Sequence, residues 1–213
     1  MAVKKDREYR DMTIEVRTLE TEEVPDERMI VTGYASTFNE PYTLFENDDW
    51  RFNEVVDAKA FDKTDMSDVI MQYDHEGRVF ARMSNNTLTV TPDEKGLLIE
   101  ADLGGTELGR QLYEEIRGGY TNKMSFGFTV DGEETRDMED MDGKALTVRT
   151  ITSVRKLYDV SAVSLPANDA TSISVRSLTD GEIERIRAER LEAEALELRR
   201  RKLLAKAKLN GGQ

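Results

Sequence analysis

Between Met12 and Arg17 the chain alternates: Met12, Ile14 and Val16 fall on one side, Thr13, Glu15 and Arg17 on the other. A period of two is that of a strand buried on one face. Met29 to Phe38 (MIVTGYASTF) is a second β-like run. Gly33 within it marks a bend or a close backbone approach, and Asn39-Glu40-Pro41 stops it. From Trp50 to Phe61, the apolar Phe52, Val55, Val56 and Phe61 are mixed with polar residues, which predicts strand, turn and a short helix. Val69-Ile70-Met71-Gln72-Tyr73 reads as a buried strand ending in Asp74-His75-Glu76-Gly77. Thr87–Val90 and Leu97–Leu103 predict a hairpin around the turn-rich Pro92–Gly96.

The period then lengthens. Leu108, Leu112 and Ile116 recur every four residues, Thr106 can cap the start and Gly118-Gly119 can end it, so a short amphipathic helix is expected. Beyond it Met124, Phe126 and Phe128 alternate with Ser125 and Gly127, which puts three large side chains on one face of a strand and Ser125 on the other. The acidic stretch Asp131 to Lys144 reads as an exposed loop. Two more strands, Ala145–Val154 and Leu157–Leu165, follow, and Pro166 closes the second. Many short strands around one helix predict an α+β, mainly β fold, a small closed barrel with helices at its rim.

Composition adds an appendage. Of the 213 residues, 38% are hydrophobic and 34% charged, a modest core with a long solvated segment. From Thr179 the chain turns to Glu, Arg, Ala, Leu and Lys. Ala188, Leu191, Ala195, Leu198, Lys202 and Ala205 follow steps of three and four, a narrow stripe on a long charged helix suited to a partner helix. The expected layout is a flexible N-terminus (1–11), a β domain (12–166), a linker (167–178) and a helical tail (179–213). The net charge is −13, yet residues 180–210 hold nine Lys/Arg against seven Asp/Glu, so the body is the acidic part. Such a body repels nucleic-acid phosphates. No signal peptide or membrane span is expected.

His75 is the one histidine, and cysteine is absent. Acid–base chemistry near neutrality points to that imidazole, and no thiol competes as nucleophile. Ser125 is the best-placed serine, held in an apolar strand directly after a helix, with Gly127 leaving room for a peptide or substrate. Asp159 lies in the otherwise apolar Leu157–Ser164 run. A carboxylate there is paired, functional or facing water at a strand edge, because burial without a partner is expensive. Ser161 and Ser164 share that strand and lack a distinctive setting.

Four segments occur in order: Gly33-Tyr34-Ala35-Ser36-Thr37-Phe38; Tyr73-Asp74-His75-Glu76-Gly77; Gly118-Gly119 leading to Met124-Ser125-Phe126-Gly127-Phe128; and Leu157-Tyr158-Asp159-Val160-Ser161-Ala162-Val163-Ser164-Leu165-Pro166-Ala167-Asn168. Together they make residues 12–170 resemble the prohead (procapsid maturation) proteases of tailed bacteriophages, distant relatives of the herpesvirus assemblins. The resemblance implies a serine endopeptidase on an assemblin-like β-barrel, with Ser125 as nucleophile, His75 as general base and Asp159 as orienting acid. Those phage enzymes more often have glutamate at the last position, so the shorter aspartate requires its strand to lie closer to His75, or a looser orienting role. The resemblance also implies a place inside the immature prohead in the bacterial cytoplasm. Its expected substrates are scaffold protein, the scaffolding segment of the major capsid protein, and the chain itself, with 167–178 as a self-cleavage region. Self-association is expected; no cofactor, nucleic acid or membrane is implied.

Two other readings fit the residues without the resemblance. One is a non-catalytic scaffold or capsid-assembly protein, an acidic β domain with a helical tail. The other is a metal-dependent hydrolase built on His75 with Asp74, Glu76 or distant carboxylates, for which one histidine and no thiol are a poor zinc set. The acids of Asp137–Asp142 do not have the spacing of an EF-hand loop.

Overall fold

In the computed structural model, residues 7–12, 17–18 and 28–163 are described, with helical positions 188, 191, 192, 195, 196 and 199. The chain divides into two units, Met1–Ser177 and Leu178–Gln213. In the second, Ala188, Leu191, Glu192, Ala195, Leu196 and Arg199 are helical and exposed. The rest of the expected tail helix, the 167–178 linker and Ile14, Val16, Ser164 and Pro166 lie outside the described residues.

The described strands of the first unit form two sheets. One is antiparallel, in the order β2 (Arg17–Thr18), β3 (Ile30–Thr37), β9 (Gly96–Asp102), β8 (Leu88–Pro92). The other runs β1 (Glu8–Met12), β10 (Lys123–Glu139), β11 (Ala145–Val163), β5 (Trp50–Val56), β4 (Tyr42–Glu46), with β6 (Ile70–Tyr73) on β11 and β7 (Glu76–Arg82) on β6. The mainly β, α+β expectation holds, but the closed barrel does not. Alternation fixes which face of a strand is buried, not which strand lies beside it. At 19 residues β11 is long enough for two parallel partners in succession, β5 along 145–151 and β6 along 159–162, so the sheet forks instead of closing.

Among the described residues of the first unit, the α-helix α1 (Glu107–Arg117) forms where the period of four predicts it. The Thr106 hydroxyl accepts the Gly109 N–H at its start, and Gly118 caps its end. Leu112, Tyr113 and Ile116 are buried, whereas Leu108, expected on the apolar stripe, is exposed. Phe126 and Phe128 stack at 4.6 Å in the core, beside Met124, Val160, Leu157 and Met71. Burying each ring stabilises the sheet by about 1.5–3 kcal/mol.

Four stretches differ from the sequence reading. Residues 131–139 are strand rather than loop, because Glu133–Glu139 pair residue by residue with 145–151, whose other side carries β5, and their charged side chains are exposed. The expected pair of late strands is one continuous strand, with bulges, most of them in β11 itself, absorbing the register changes against β10 between Gly127 and Glu133. After Val56 the chain makes turns rather than a short helix. β1 begins at Glu8, inside the segment expected to be loose.

Candidate active site

The geometry begins with register. Ser125 on β10 lies directly opposite Ser161 on β11, and Gly127 opposite Asp159. Core-facing Met124, Phe126, Val160 and Ala162 alternate with these four, so Ser125, Gly127, Asp159 and Ser161 share the other face. On the far side of β11, β6 pairs in parallel, Asp159 with Ile70 and Ala162 with Tyr73. β6 and β7 are joined by two residues, Asp74 and His75, with Tyr73 opposite Glu76.

Both linking residues have positive φ, 48° and 59°, as a two-residue primed hairpin turn requires. Asp and His tolerate this region better than most residues, but it still strains the backbone. The Asp74 N–H donates to the Ala162 carbonyl at 3.0 Å, which ties the turn to β11. His75 is thereby projected across the end of β11 toward β10.

The imidazole reaches both neighbours. Its Nδ1 lies 2.5 Å from Asp159 Oδ1 and its Nε2 lies 2.5 Å from Ser125 Oγ. An ionised carboxylate only accepts, so the proton belongs on Nδ1, which leaves Nε2 free to take the Ser125 hydroxyl proton. Asp159 and Ser125 are fully buried, and 14% of the His75 side chain is exposed. Asp159 therefore does not face water at a strand edge. The short aspartate suffices because β6 is hydrogen-bonded directly to β11, bringing the His75 turn beside it.

Gly127 has a different use from the one expected. A Cβ there would stand 2.4 Å from Asp159 Oδ2 and 2.8 Å from Tyr9 Cε1, so the missing side chain makes room for the carboxylate rather than for a substrate. Ser161, passed over in the sequence, places its hydroxyl 3.3 Å from both His75 Nδ1 and Asp159 Oδ1. Its position opposite Ser125 was hidden in a pairing register that local sequence does not carry.

The N-terminal residues also take part. Arg7 Nη1 lies 3.5 Å from Asp159 Oδ2, its guanidinium 3.6 Å above the Tyr158 ring. Tyr9 packs on the His75 ring at 4.4 Å between centroids. The Ser125 hydroxyl lies 2.9 Å from the Arg10 carbonyl oxygen. Glu76 and Asp74 do not join His75 in a metal-binding group, and no such cluster of His, Cys, Asp and Glu occurs among the described residues. No helix among them is long and apolar enough to cross a membrane.

On the core side of β1 lies a buried charge network. Arg10 bonds to Glu54 through Nε at 2.5 Å and Nη2 at 2.8 Å, and to Glu8. Arg149 bonds to Glu54 at 2.8 Å, to Glu8 at 2.7 Å and to Glu133, and the Tyr42 hydroxyl donates to Glu54. Burial pushes the Glu8 carboxyl up, but the Arg149 hydrogen bond and the two guanidinium charges outweigh it and bring it down to about 2. Burial and the adjacent Glu54 charge push the Tyr42 hydroxyl well above its usual range.

The family model described as caudovirus prohead serine protease matches residues 13–185. No curated protein matches. Among solved structures, the capsid assembly protease gp21 of bacteriophage T4 is similar over 73% of this chain and 98% of its own, with a TM-score of 0.37 and 10% identity. With four-fifths of its length inside that match, and Ser125, His75 and Asp159 all within it, the chain belongs to the caudovirus prohead serine protease family.

Proposed function

We propose that this chain is the serine endopeptidase of phage capsid maturation, with Ser125 as nucleophile, His75 as general base and Asp159 as the group that orients it. It acts inside the prohead, in the host cytoplasm, on scaffold protein or the scaffolding segment of the major capsid protein, and on itself. One observation carries the reading: the continuous line of contacts from Asp159 through both ring nitrogens of His75 to Ser125 Oγ, in a member of this family.

His75 Nε2 takes the hydroxyl proton as Oγ attacks the carbonyl carbon of the scissile peptide. Asp159 holds Nδ1–H, fixes the tautomer and stabilises the imidazolium that forms. The imidazolium then gives its proton to the leaving amine. A water, activated by the same nitrogen, hydrolyses the acyl-enzyme. Ser161 supplements the orientation of His75 and Asp159 through longer contacts. The tail from Thr179 serves as the docking segment for a helical scaffold, which raises the effective concentration of protease in the shell.

Co-expression with the neighbouring major capsid protein, followed by intact mass measurement, tests the reading. The wild-type chain should yield a shortened capsid subunit, and Ser125→Ala should yield only the full-length one. The same shortened product from Ser125→Ala would overturn the proposal.

A further inference from the structure

Tyr120 is the most exposed aromatic side chain among the described residues, 82% open to solvent. A single apolar residue on a surface is ordinary, but this ring has a seat made for it. Gly118, which caps α1, has φ −76° and ψ −6°, right-handed values open to any residue. Glycine costs backbone entropy there, and no unusual dihedral calls for it. What it supplies is room. A Cβ on Gly118 would stand 2.9 Å from both Cδ2 and Cε2 of Tyr120, so the ring lies against bare backbone.

The backbone under the ring is fixed as well. Gly119, at φ 75°, turns the chain out of the helix through the left-handed region that favours glycine. The Tyr120 N–H donates to the Glu115 carbonyl at 2.9 Å and the Gly119 N–H to that of Ile116 at 3.0 Å, the paired bonds of a Schellman turn. Thr121 is buried, and β10 begins at Lys123. A closed turn, not a loose loop, presents the ring.

That turn leads into the nucleophile strand. Tyr120 precedes Ser125 by five residues, which keeps their Cα atoms within about 18 Å of each other. The His75 turn is tied to the same end of the sheet, because Met124 pairs with Ala162 and the Ala162 carbonyl accepts the Asp74 N–H. An extended peptide with its scissile carbonyl at Ser125 reaches the ring with a side chain within about five residues of the cut. Residues 114–125 hold two acids, Glu114 and Glu115, and two bases, Arg117 and Lys123, so this stretch has no net charge in a chain at −13. An open ring in neutral surroundings suits an apolar side chain. Tyrosine is also a residue on which binding energy concentrates, since its large ring loses little freedom when covered.

We propose that Tyr120 is a substrate-binding platform, a rigid aromatic surface that takes an apolar side chain of the polypeptide substrate a few residues from the scissile bond. Gly118 is the positioning residue that seats it. The inference rests on the endopeptidase reading for the identity of the ligand. Tyr120 has no part in bond cleavage: it holds the peptide while His75 and Ser125 react with it.

Binding of the full-length major capsid protein to the full chain carrying Ser125→Ala, which leaves the ligand uncut, tests this. Adding Tyr120→Ala should weaken binding roughly tenfold, and Tyr120→Phe should restore it. Gly118→Ala should weaken it although the tyrosine is intact, because the new methyl displaces the ring. Both alanine variants should melt close to the parent, since Tyr120 is exposed and alanine accepts the Gly118 dihedrals. With Ser125 present, processing of the same protein should show the Tyr120→Ala loss in KM and not in kcat. Unchanged binding in either alanine variant, loss in Tyr120→Phe, a fall in kcat alone, or no binding by the parent overturns the inference. Tyrosine-dependent binding, with no processing by the wild-type chain, upholds the platform and instead sinks the endopeptidase reading.

Discussion

Replacing Gly127 by alanine adds a single methyl, outside the three proposed catalytic residues. An ideal Cβ at that position lies 2.4 Å from Asp159 Oδ2, about 1 Å inside an ordinary contact. It also lies 2.8 Å from Tyr9 Cε1, so the carboxylate cannot be relieved without disturbing the ring on His75. A misplacement of about 1 Å in a catalytic group costs on the order of 10²-fold in rate. Gly127→Ala should therefore slow Ser125 phosphonylation by a fluorophosphonate, followed by intact mass, by about that factor. Gly132→Ala is the control. Its added Cβ meets the Thr152 hydroxyl, at the end of a side chain remote from His75, and the labelling rate should stay close to wild type. A folded Gly127→Ala chain that labels at the wild-type rate would refute the claim that this glycine seats Asp159.

Asp159→Asn keeps the volume but favours the wrong His75 tautomer, and should lower the labelling rate by roughly 10³–10⁴-fold with little change in melting temperature. Glu54→Leu leaves Arg10 and Arg149 short of a buried partner and should destabilise the fold by about 3–5 kcal/mol in urea titration. Glu8 titrates at about 2 in the folded chain against 4.5 for the free group. A carboxyl with a depressed folded value contributes stability above its unfolded value and loses it as pH falls through the folded one. Stability should accordingly drop between about pH 4.5 and 2 by on the order of 1–3 kcal/mol, and Glu8→Gln should be weaker at neutral pH with a flatter acid response.

Residues whose role depends on local chemistry were legible from the sequence. His75 stood out as the one imidazole, Ser125 by its place in an apolar strand, and α1 by its spacing and cap. What stayed hidden depends on pairing between distant segments. The Glu8–Met12 strand carries almost no apolar signal, because Arg10 is buried, and Glu8 half-buried, by charge pairing rather than by hydrophobicity. Residues 131–139 look like a loop for a different reason: their strand forms by backbone pairing with β11, and its charged side chains stay exposed. Ser161 acquires meaning only from the register that sets it opposite Ser125. The closed barrel failed because no periodicity in β11 announces that two parallel strands will share it end to end.

The central claim is that His75 activates Ser125, and site-resolved fluorophosphonate labelling tests it most directly. Peptide mapping of the labelled wild-type chain should find the adduct on Ser125 alone, and His75→Ala should abolish it while the protein stays folded. An adduct on another serine, or undiminished labelling of Ser125 without the imidazole, would contradict the account.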